Sequence, residues 1–173
     1  MEHLKFPIGR FEKPASFNDE LRKAWIETIS DFPSKLREAC ENMSDLELSS
    51  PYRPNGWTPI QVVHHCADSH MNAFIRFKLA LTETDPTIKP YKEDLWAELS
   101  ESINKNLTPS LAIIDGVHAR WTQLLETMSL EDYDKRYFHP EQEAYFTLYE
   151  ALANYDWHSR HHLAHVLLLK RKC

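Results

Sequence analysis

Seven of the chain's ten histidines fall in two short runs: His64, His65 and His70 in the first, and His158, His161, His162 and His165 in the second. On a helix, side chains four residues apart leave the same face one turn apart. His158 and His162 can therefore meet at one divalent ion, and His161 and His165 have the same spacing. Imidazole suits zinc and nickel alike. Two imidazoles from one helix and a third from another leave a coordination position open, the pattern of catalytic rather than closed structural zinc. The second run is not a His-Glu-x-x-His motif, because Ser159 stands where that motif carries its general-base glutamate.

Each run needs a helix to position it. Thr147-Leu-Tyr-Glu150 reads as a capping box, and behind it Leu148, Leu152, Tyr155, His162, Val166 and Leu169 recur at helical spacing. Lys170 to Lys172 complement the C-terminal dipole of that helix. His162 lies in the apolar stripe with His158 beside its centre, whereas His161 and His165 turn toward its flank, so the first pair is favoured as the inward one. The earlier run belongs to a helix entered at Thr58-Pro59-Ile60-Gln61 and reaching about Leu81, with Thr58 as cap, Pro59 in the first turn and Gln61 closing the box. Here periodicity leans to His64, which lies nearer the face of Ile60, Ala67, Met71 and Phe74, while His65 shares a polar strip with Asp68 and Asn72. Spacing alone leaves that choice open.

Two further helices complete the set. From Phe17 the positions Leu21, Trp25, Ile29, Phe32, Leu36 and Ala39 give one buried face, with a kink expected at Pro33. After Thr108-Pro109, a second Thr-Pro entry, Leu111, Ile114, Val117, Trp121, Leu124 and Met128 give another. A short helix is expected at Trp96 and Leu99, a capped turn at Ser129 to Asp132, and an irregular stretch around His139-Pro140. The expected architecture is all-α, a four-helix bundle with long crossover connections forming a single domain over 1–173, residues 1–15 being an extended N-terminal arm around Pro7, Gly9 and Pro14.

Composition narrows the function classes. A formal charge of -6 and no dense basic stripe argue against nucleic acid as a partner. The start Met-Glu-His-Leu-Lys-Phe-Pro lacks a hydrophobic leader core, and no apolar run approaches the ~18 residues that cross a bilayer, so a cytoplasmic protein with no membrane partner is expected. Cys40, Cys66 and Cys173 stand apart with no Cys-x-x-Cys pair and receive no role.

Longer segments carry a family likeness. Tyr52-Arg53-Pro54-Asn55-Gly56-Trp57-Thr58, Gln61-Val62-Val63-His64-His65, Ala67-Asp68-Ser69-His70-Met71-Asn72, Lys89-Pro90-Tyr91, Arg120-Trp121, His139-Pro140 and Trp157-His158-Ser159-x-His161-His162 together resemble the YfiT branch of the DinB-like superfamily, across nearly the whole chain. The resemblance implies a metal ligand eight residues after the early tryptophan, which is His65 rather than His64, and makes His158 and His162 the other two. His162-Leu163-Ala164-His165 departs from the His-Arg-Gly-Gln of many DinB members. The family implies a metal-dependent hydrolase acting on a small molecule, a divalent cation such as zinc or nickel, and a homodimer. The alternative within the superfamily is a thiol transferase using a low-molecular-weight thiol, and a non-catalytic metal-binding protein is a third reading. No catalytic residue is implied; Asp68, Asn72, His118 and His161 are candidates for orienting ligands or moving protons.

Overall fold

Four long amphipathic segments set the architecture, seen in a computed structural model that describes residues 2–170; Cys173 and the lysine and arginine at 171–172 lie outside the described residues. The helices are α1 (Glu2–Lys5), α2 (Asp19–Cys40), α3 (Asp45–Ser49), α4 (Pro59–Thr82), α5 (Glu93–Trp96), α6 (Thr108–Thr127) and α7 (Leu148–Lys170). Between α6 and α7 come a 3-10 turn and an antiparallel hairpin of β1 (Arg136–His139) and β2 (Ala144–Thr147). The long helices α2, α4, α6 and α7 form a four-helix bundle. In it α2 packs on α7 and α6, and α4 packs on the same two, so the sequential pairs α2/α4 and α6/α7 stand diagonally. The long connections from α2 to α4 and from α6 to α7 follow from that placement, because a short loop joins neighbours, not diagonal partners. No helix among the described residues is long and apolar enough to cross a membrane.

Local chemistry accounts for most helix ends. Asn18 accepts from the Leu21 N–H to start α2, and the Thr58/Gln61 and Thr147/Glu150 boxes start α4 and α7. Gln61 Nε2 also donates to the Ala97 carbonyl, tying α4 to the connection that crosses over it. The second Thr-Pro entry works differently. Thr108 is already helical and its hydroxyl caps nothing, while Asn106 Oδ1 accepts from the Thr108 N–H. The N-terminal segment is not wholly extended, since residues 2–5 make one helical turn before the chain runs on along α7. The stretch around His139-Pro140 is a hairpin, not irregular: Tyr137 pairs with Phe146 and Phe138 with Tyr145, aromatic pairs that suit a pleated surface. A further short helix, α3, is started by a Ser44/Glu47 box.

The core divides into two apolar layers. One gathers Ile26, Ile29, Phe77, Trp121, Leu125 and Leu152; the other Phe32, Leu36, Val62, Val63, Ile114 and Val166. Each fully buried side chain of this size contributes about 1.5–3 kcal/mol. Where one layer gives way to the other, α4 carries His70, α6 carries His118 and α7 carries His158 and His162, with His65 about one turn into the second layer on α4. A histidine seam therefore crosses the middle of the bundle.

Candidate metal centre

His65 from α4 and His158 and His162 from α7 bring one ring nitrogen each within 4.8 Å of one another, a group able to hold a metal ion. The Nε2 atoms of His65 and His158 are 3.2 Å apart. Tetrahedral zinc with nitrogen ligands at about 2.0–2.1 Å requires nitrogen separations of about 3.3–3.4 Å, so this pair is already spaced as ligands are. The residues fit the cation that their chemistry suggests. Trp57 packs over the group, its ring 4.8 Å from that of His65 and 6.4 Å from that of His162. The turn that delivers Trp57 needs Gly56, where a Cβ would meet Arg53 Cγ at 2.6 Å.

Burial holds these rings neutral. His65 is pushed down to about 4 by burial, and His158 and His162 fall well below the usual histidine range through burial and the neighbouring histidines. Neutral imidazole is the form that binds a metal.

The adjacent histidines are spent elsewhere. His64 Nε2–H donates to the Asn104 carbonyl at 2.8 Å, and its Nδ1 accepts from the Ser110 hydroxyl at 2.7 Å. Both nitrogens are thus engaged in pinning α4 to the start of α6. His161 is stacked between Trp157 and Phe6, and its Nδ1 is buried without a partner. His165 stacks on Tyr52, donates through Nε2–H to the Lys5 carbonyl at 3.2 Å, and so presents a bare Nδ1 to His162 Nδ1–H at 3.5 Å. The flank pair is not at the bundle surface: it is buried beneath the N-terminal arm.

Of the other candidates, Asn72 donates within its own helix to the Asp68 carbonyl. Asp68 is half-buried, and burial with Glu101 nearby pushes its carboxyl up to about 6. His118 is buried and reaches the trio only through His70, whose part periodicity did not reveal. Ser159 donates to the Tyr155 carbonyl inside α7 and takes no part at the trio. Burial pushes the Cys40 thiol up to about 11 and the Cys66 thiol higher still, so neither is a thiolate at neutral pH.

The trio lies between two cavities. A cleft of about 690 Å³ reaches His158 between α4, α7, α5 and the hairpin, and carries Arg76, Tyr91, Asp94, His139 and Tyr155 on its walls. A smaller one of about 210 Å³ reaches His162 from the side of the N-terminal arm, with Trp57 and again Asp94. Arg76 Nε and His139 Nδ1, on residues of the larger cleft's wall, are buried with no hydrogen-bond partner among the described residues. The sequence signal for the cleft is weak, because its walls come from segments far apart in the chain and β1 is only four residues long.

This arrangement has close counterparts. YfiT of Bacillus subtilis (strain 168), whose name classes it provisionally as a metal-dependent hydrolase, is 45% identical over 170 residues, covering 98% of this chain and 96% of that protein. A protein of Bacillus cereus (strain B4264) with the same provisional designation is 45% identical over 172 residues, covering 99% and 98%. The solved structure of Bacillus subtilis YfiT, described as having an unusual four-helix bundle topology, superposes with a TM-score of 0.95 over 98% of this chain and 97% of that one. The DinB superfamily model matches residues 28–166, a stretch holding all four bundle helices for most of their length and all three clustered histidines, and on these grounds the chain belongs to the DinB superfamily, with YfiT among its near relatives.

Proposed function

We propose that the chain is a metal-dependent hydrolase of a small molecule, with a single divalent cation held by His65, His158 and His162. The observation that carries the reading is the trio itself: three neutral ring nitrogens within 4.8 Å, one of them facing a cleft of about 690 Å³. Zinc or nickel suits three imidazoles. When bound, such a cation supplies Lewis acidity, which activates water at neutral pH or polarises a carbonyl. The names given to the relatives support the same class.

The chain's own residues supply the rest. Asp94 is the carboxylate that borders both cavities flanking the trio, which places it to accept a proton from attacking water. Arg76 and His139, in the wall of the cleft, suit a polar or anionic group of the substrate. Trp57 shields the trio's outer side from bulk water.

The test is a panel of esters and amides given to protein loaded with one cation, with and without small thiols. Hydrolysis that disappears on chelation, returns with zinc or nickel and falls roughly 10²-fold in Asp94→Asn is the expected result. Turnover only in the presence of a thiol, with transfer to the substrate and no hydrolysis, would move the chain to the thiol transferases.

A further inference from the structure

We propose that His70 and His118 are positioning residues for the histidine trio, and that Pro33 creates the backbone acceptor on which their orientation depends. The inference rests on reading the trio as a metal site. Its geometry begins at a backbone carbonyl on α2. Proline has no N–H, so Pro33 removes the donor that would otherwise pair with the Ile29 carbonyl four residues earlier. The helix nevertheless continues through Pro33 to Cys40. His118 Nδ1 stands 2.5 Å from that carbonyl oxygen, in a part of the bundle where Ile29 and His118 are shut off from water.

A carbonyl oxygen only accepts, so His118 Nδ1 carries the hydrogen and its Nε2 is bare, because a neutral imidazole has one N–H. His118 Nε2 is 2.7 Å from His70 Nδ1, which must then donate and leave His70 Nε2 bare. His70 Nε2 is 3.0 Å from His158 Nδ1, which donates in turn. The last bare nitrogen in the chain is His158 Nε2, the atom facing His65. One carbonyl at the far side of the core thus dictates the tautomer of three rings and aims a lone pair at the metal position. A metal-bound histidine ordinarily donates its other N–H to a carboxylate, carbonyl or water, which fixes ring rotation and raises basicity. Here two more histidines carry the hydrogen bond to a carbonyl, adding no charge to a buried seam.

A packing role is the rival explanation, since Phe32 lies against both His70 and His118 at ring separations of 5.0 and 5.4 Å. Packing sets no tautomer. In the metal-free full-length chain labelled with nitrogen-15, two-bond proton–nitrogen spectra should report the Nδ1–H form for His118, His70 and His158. A His158 in the Nε2–H form would overturn the proposal.

Zinc titration provides the second arm. His70→Leu and His118→Leu should bind zinc about 10–100-fold more weakly at unchanged stoichiometry. His70→Gln, whose amide can donate to one neighbour and accept from the other, should recover part of that loss. Pro33→Ala supplies an N–H that competes for the Ile29 carbonyl; it should strengthen α2 yet weaken zinc binding a few-fold and mix the His118 tautomers. Equal affinity in wild type, His70→Leu and His118→Leu would sink the inference while leaving the metal site standing. A wild-type chain that binds no zinc, with the tautomer pattern present, would instead sink the metal reading.

Discussion

The two α7 histidines proposed as ligands, His158 and His162, are oriented by the same logic from opposite environments. His158 is held by a chain that ends at a carbonyl inside α2, with links of 3.0, 2.7 and 2.5 Å. His162 is held by His165, which ends at the Lys5 carbonyl of the N-terminal arm, with links of 3.5 and 3.2 Å. In both cases a terminal carbonyl sets the direction of every hydrogen bond back to the ligand. The first anchor belongs to a long helix packed on two others; the second is the last residue of a four-residue turn with no buried residue. A shared design can therefore have one rigid end and one end whose hold depends on a surface segment staying down.

The largest effect is expected at the ring that both flanks serve. His65→Ala should remove tight cation binding altogether, with elemental analysis falling from about one metal per chain to near none. His64→Ala should keep the metal and cost roughly 1–3 kcal/mol of unfolding free energy, because it strands the Ser110 and Asn104 partners. The reverse pattern would mean that the seam's ligand and structural roles have been assigned to the wrong neighbour.

Acid should act next, and on both ends. His65, His118 and His165 are pushed down to about 4 and His161 to about 3, and His70, His158 and His162 lie well below 6.5. Their folded values lie below the unfolded one, so the unfolded chain binds more protons once pH drops under about 6.5. The stability these rings contribute is complete above pH 6.5 and is lost as pH falls toward 4. Each adds at most about 1.4 kcal/mol per pH unit to the loss. Urea unfolding of the metal-free chain from pH 7.5 to 4.5 reads this directly, and a midpoint that does not move through this range would contradict the burial of the seam. Hydrogen exchange in the same series should open the arm before α2.

The smallest effect separates the two anchors. His165→Phe keeps the stack on Tyr52 but loses the bond to Lys5, and should weaken zinc binding less than tenfold, short of the His118→Leu loss. Equal losses from the two variants would show that the arm is as firm an anchor as the bundle.

Particular residues show how far the sequence could be read. The boxes at Thr58 and Thr147 and the apolar stripes of α2, α4, α6 and α7 are local signals, and each element lies where those signals place it, within one or two residues. The spacing of His158 and His162 predicted a shared face, and they share one. Periodicity favoured His64 over its neighbour because it ranks residues by apolar company. In the folded chain both are buried, at 4% and 5% exposure, so burial does not separate them. Their partners do, and those sit on α6, the loop before it and α7. The hairpin at Arg136 to Thr147 is faint in the sequence because its strands are four residues each, too short for alternation to mark them, although Tyr137, Phe138, Tyr145 and Phe146 carry the β preference.

The sequence by itself determined the helices, their ends and the histidine-bearing faces, because capping and periodicity act over three to seven residues. Periodicity left the choice between His64 and His65 open and the family resemblance named His65, but only the tertiary structure decided what each ring bonds to. A ring's tautomer depends on its hydrogen-bond partner, and apart from the neighbours His162 and His165 the partners here lie 40 to 160 residues away, as with His64 and Asn104 or His165 and Lys5. Pro33 makes the division plain: sequence marks it as a helix irregularity, whereas its consequence, a carbonyl offered to His118 across the core, exists only once α2 and α6 have packed.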